Sequence, residues 1–124
     1  MSAKQIQAYK AVQKTTMSGR EIEASALARA AMMLTDCRDN WDAPDREEIL
    51  RAALRRNQML WSIFQAELTD AANPLPRELK ENILSLSLFM DKRTIDIMAF
   101  PSPEKLNAII DINLNLAAGL RGEL

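Results

Sequence analysis

Residues 107–120 read "NAIIDINLNLAAGL", and how this stretch folds decides the class of the whole chain. Taken alone, Ile110, Ile112, Leu114 and Leu116 alternate with polar residues, the two-residue period of a half-buried strand. A wider window places Leu106, Ile109, Ile110, Asn113, Ala117 and Leu120 at helical spacing, behind a Ser102-Pro103 start and running to Gly119. A lone strand in a chain of helices has no partner for its backbone groups. The helix is therefore the expectation, and with it an all-α protein.

Working back from that segment, Pro101 forbids continuation of the helix before it, while Pro103 sits at a favoured first position. The preceding helix, opened near Pro76, carries a stripe of Leu79, Ile83, Leu86, Met90 and Ile97 flanked by Leu84, Leu88 and Ile95. Before it, the segment from about Pro44 to Thr69 contains "NQMLWSIFQAEL" (residues 57–68). Leu50, Leu54, Trp61, Phe64 and Leu68 share one stripe with Asn57 in its middle, and Ile49, Ala53, Leu60 and Ile63 lie beside it. Two helices so broadly apolar are expected at the centre of a bundle.

Further upstream, "EIEASALARAAMML" is rich in alanine, which favours helix and lets a neighbour approach closely. Its predicted apolar side is Ile22, Leu27, Ala30, Met33 and Leu34, and Ser18-Gly19-Arg20-Glu21 reads as the capping box that starts it. A separate short helix is predicted ahead of that box, with Ile6, Tyr9 and Val12 as a thin stripe. The expectation is a single-domain bundle of about five helices over residues 1–124.

Composition narrows the chemistry. The chain of 124 residues has no histidine, so the usual general base and the commonest transition-metal ligand are missing. With one cysteine, Cys37, there is neither an internal disulfide nor a cysteine-based zinc site. Three glycines, Gly19, Gly119 and Gly122, make no phosphate-cradling loop. The loop from Asp36 to Glu47 has acids at calcium-loop spacing, but Arg38 and Trp41 occupy places that need a ligand and a glycine. A non-enzyme without cofactor or metal is expected. No apolar run reaches the roughly 20 residues that span a bilayer, and the N-terminus lacks an export-type apolar core, so a cytoplasmic protein without membrane insertion is expected.

Apolar helical surface is what remains. Seven methionines, among them Met32, Met33, Met59, Met90 and Met98, provide flexible thioethers that adapt either to gaps in a core or to a partner. The candidate partner-binding residues are Asn57, Met59, Leu60, Trp61 and Phe64, with the aromatics as anchors. The alternative makes Trp61 and Phe64 core, in which case Asn57 must find a partner inside the bundle, with Asn113 the candidate. Net charge is −1, yet no acid occurs before Glu21. Lys4, Lys10, Lys14 and Arg20, together with Arg51, Arg55 and Arg56, are the candidate nucleic-acid contacts.

The segments "AYKAVQKTT", "REIEASAL", "NQMLWSIFQAEL", "NPLPRELKENILSLSLFMDKRT" and "PEKLNAIIDINLNLAAGL" together resemble the FlaF family, in order and spacing, over nearly the whole chain. Gly19 departs from that pattern where proline is common, and Leu114 where a basic residue is common. The resemblance implies a cytoplasmic helical protein that supports flagellin synthesis and export by binding flagellin as a secretion chaperone. It also implies a link to FlbT, a regulator of opposite effect. The alternative is a post-transcriptional regulator acting on flagellin messenger RNA directly or through FlbT.

Overall fold

The computed structural model describes residues 2–122, with side chains described for residues 2–5 and 19–122. Its four α-helices are α1 (Ala3–Asp39), α2 (Arg46–Thr69), α3 (Arg77–Ala99) and α4 (Leu106–Leu120), and a 3-10 turn over Pro103–Lys105 leads into α4. Among the described residues there is no strand, so the all-α bundle is the architecture and "IIDINLNL" is helix. No described helix is long and apolar enough to cross a membrane.

Neighbouring helices run antiparallel, and side-chain ties mark the pairing. At one end of the α1–α4 pair, Arg38 Nη1 donates to Asn107 Oδ1 at 2.9 Å; at the other, Arg121 meets Glu21 at 3.7 Å. The α3–α4 link is held by Lys105, whose Nζ lies 3.1 Å from an Asp96 carboxylate oxygen and donates to the Phe100 carbonyl at 2.8 Å.

The predicted break at Ser18 is absent: α1 is one helix through Ser18 and Gly19. Its capping box is instead Ser2 with Gln5, where the serine hydroxyl accepts from the Gln5 backbone and the glutamine carbonyl accepts from the Ser2 backbone. A glycine within a helix costs only about 1 kcal/mol relative to alanine, less than opening a helix that continues on both sides. The stripe Ile6, Tyr9, Val12 has side chains outside the described residues.

The centre also differs from the expectation. The most extensive packing joins α1 to α4, and α3 lies at the edge, packed mainly on α2. Alanine explains the inversion. Ala24, Ala30 and Ala31 of α1 are fully buried, and the wide apolar face of α4 seats Leu106, Ile109, Ile110 and Ala117 against that close-approach surface. Leu27 and Leu34 belong to the same core, whereas Ile22, predicted to join it, stays 67% exposed.

Candidate functional site

The stripe containing Asn57, Trp61 and Phe64 turns inward. Leu50, Leu54, Trp61, Phe64 and Leu68 are buried, and Phe64 meets the Trp61 ring edge-on at 5.7 Å between centroids. Trp61 is 1% exposed, so its indole N–H must be satisfied inside, and it donates to Asn113 Oδ1 at 2.9 Å. Asn113, from α4, in turn donates through Nδ2 to Asn57 Oδ1 at 2.7 Å. The Asn57 amide then points its Nδ2 at the Met90 sulfur of α3, 3.8 Å away. One polar relay thus joins α2, α3 and α4 at the point where they meet.

That burial corrects the partner-binding assignment. Asn57, Trp61 and Phe64 are bundle core and present nothing to a partner on this surface. The pairing of Asn57 with Asn113 is the internal alternative. Of the remaining candidates, Met59 is exposed and Leu60 half-buried.

The exposed apolar surface lies elsewhere. Along α3, Ile83, Ser87, Met90, Thr94 and Ile97 are buried at alternating steps of four and three. Displaced by one residue is a second stripe with the same spacing: Leu84, Leu88, Asp91, Ile95 and Met98. Leu84 and Asp91 are half-buried, while Leu88, Ile95 and Met98 are each more than half exposed and lead to exposed Phe100. Helical residues at this spacing form one continuous ridge. The charges along it are largely satisfied within the fold, since Asp91 accepts from Gln65 at 3.3 Å and Asp96 from Lys105. The sequence showed Leu84, Leu88 and Ile95 as a flank of the core stripe. What it lacked was the position of α3 at the edge, which leaves that flank uncovered.

A second feature lies between α1 and α2, in a groove of about 430 Å³ lined by Glu21, Ile22, Ser25, Ala26 and Arg29 from α1 and Arg56 from α2. Arg51, Arg55 and Arg56 are all exposed. Among the described residues, none of these three nor Arg29 has a carboxylate within 4 Å. Lys4 and Arg20 are also exposed, while the side chains of Lys10 and Lys14 fall outside the described residues.

Among the described residues, burial shifts two titratable groups. Burial pushes the Glu23 carboxyl above its ordinary range, helped by the nearby Glu67 carboxylate, with which it shares a hydrogen bond across α1 and α2. The Cys37 thiol, 1% exposed, is likewise raised by burial, against a smaller opposing pull from Arg46. In the Asp36–Glu47 loop the Arg46 guanidinium lies 4.3 Å from the Trp41 ring centre, an arrangement that braces the turn.

A family model, flagellar protein FlaF, matches residues 5–120. No curated protein matches the chain, and no solved structure does.

Proposed function

Because the chain belongs to the FlaF family of flagellar proteins, we propose that it is a non-catalytic, cytoplasmic flagellin-binding protein that holds an amphipathic flagellin segment before export and so regulates flagellin supply. The observation that carries this reading is the second apolar stripe on α3. Leu88, Ile95 and Met98, more than half exposed at helical spacing, offer a ridge on which the apolar face of another helix can lie. Each large side chain covered there contributes about 1.5–3 kcal/mol in transfer free energy, before the cost of association. Methionine within the stripe adapts to partners of varied shape. With Trp61 and Phe64 buried, the anchors of this reading are Leu88, Ile95 and Met98 on the neighbouring helix.

The test is titration of purified flagellin into the protein and into Leu88→Asp and Ile95→Asp variants. Both substitutions fall on exposed positions and should leave stability within about 0.5 kcal/mol. Binding to wild type that weakens at least about tenfold in both variants supports the reading. Absence of binding to wild type sinks the function, and undiminished binding by the variants sinks the site.

The messenger-RNA reading draws on one observation, the exposed Arg51, Arg55 and Arg56, which have no carboxylate partner among the described residues. It requires a flagellin transcript complex that weakens steeply as salt rises.

A further inference from the structure

We propose that the groove between α1 and α2 is a second docking site, which receives an amphipathic protein helix carrying carboxylates at one end of its apolar face. The two walls share one pattern. Ile22, Ala26 and Arg29 line the groove at helical spacing on α1, and on α2 the lining Arg56 is followed along the helix, outside the groove, by exposed Met59 and Ile63 at the same spacing. The helices are antiparallel here, joined by the short connection between Asp39 and Arg46, with Cys37 near Arg46 at that end and Glu23 near Glu67 at the other, so Arg29 and Arg56 lie together toward one end of the groove.

Two guanidiniums on facing walls repel one another, and neither has a carboxylate partner among the described residues. A carboxylate placed between them relieves both and gains charge-assisted hydrogen bonds. The rest of the groove asks for apolar groups. Ile22 and Ala26 are its apolar lining, Ile22 being 67% exposed, and Met59 and Ile63, 61% and 56% exposed, extend the apolar surface from its rim along α2. Nucleic acid fits poorly, because no aromatic ring lines the groove for a base to stack on. Because α1 and α3 flank α2, the groove is separate from the α3 stripe, and both can be filled at once. The site therefore goes beyond flagellin binding and makes the chain a two-sided adaptor.

The probe is a labelled synthetic amphipathic peptide with leucines at helical spacing and glutamates at one end, followed by fluorescence anisotropy. A sister peptide carries lysines in place of the glutamates. Wild type should prefer the glutamate peptide by about tenfold or more, with the preference shrinking as salt rises. The double variant Arg29→Glu/Arg56→Glu should reverse it. Ile22→Asp, which leaves both arginines in place, should weaken both peptides, and circular dichroism confirms that each variant is folded. Equal affinity for the two peptides, or no binding of either to wild type, overturns the proposal. So does loss of binding in Ile95→Asp with retention in the groove variants, which would move the peptide to α3. An RNA oligonucleotide that binds more tightly than the peptide through the two arginines, or a doubled solution mass that Arg29→Glu/Arg56→Glu abolishes, would assign the groove to RNA or to a second copy.

Discussion

Replacing Asn113 by leucine keeps the branched heavy-atom skeleton of the side chain, with bulkier methyl groups, and removes the hub of the polar relay. Two buried groups then lose their partners: the Trp61 indole N–H and the Asn57 Oδ1, in residues each 1% exposed. A buried polar group left unsatisfied costs about 1–3 kcal/mol, so Asn113→Leu should destabilise the fold by roughly 3 kcal/mol or more. For a domain of this size that corresponds to a fall in Tm of about 10 °C. Asn57→Leu orphans only one Asn113 amide hydrogen and should cost about half as much. The double variant Asn57→Leu/Asn113→Leu leaves just the indole N–H unpaired, so it should be more stable than Asn113→Leu alone by about 1 kcal/mol. Urea unfolding followed by far-UV circular dichroism reads all three. A cost below about 0.5 kcal/mol for Asn113→Leu, or a double variant equal to the sum of the singles, would refute the claim that the relay is fully buried and mutually satisfied.

Gly19→Ala should raise stability by about 0.5–1 kcal/mol, because the glycine lies inside a continuous helix and an added Cβ meets nothing within 4 Å; a loss of stability would mean a break there after all. Glu23 has a raised folded-state pKa, so its ionised form costs stability above that pKa and the cost is relieved as pH falls through it. Glu23→Gln should accordingly raise the urea midpoint at neutral pH and narrow the difference between neutral and mildly acidic buffer, and an unchanged pH profile would count against the Glu23–Glu67 contact. The Cys37 thiol should resist alkylation in the folded protein and react fast in denaturant, which a mass-spectrometric time course measures; equal rates in both would contradict its burial.

Periodicity read the fold well wherever a residue's partner choice was local. Leu50, Leu54, Phe64 and Leu68 fall on the buried side of α2 as their spacing implies, and Leu106, Ile109, Asn113 and Ala117 do so on α4. The reading failed where the outcome depends on distant packing. A capping motif at Ser18 is a local preference of about 1 kcal/mol, and a long helix overrides it. Breadth of apolar face suggested that α3 is central, but depth in a bundle follows from how closely helices can approach, and the alanines of α1 favour α4 for that place. For the candidate site, Asn57 was the informative residue. An asparagine in an apolar stripe must be paired or exposed, and the spacing of Asn113 on another helix already offered the internal partner. Trp61 and Phe64 drew notice as large aromatics, yet their side chains lie inside, while the surface ridge is built from aliphatic residues that no motif distinguishes.

The pairing of α4 with α1 also has a consequence for synthesis. The two helices that share the closest-packed surface are separated in the chain by both other long helices. During translation, the alanine face of α1 emerges first and stays uncovered until Leu106–Leu120 has left the ribosome. Closure of the core thus waits for α4, and a stop codon ahead of residue 106 would leave a product with helices but an uncovered α1 face.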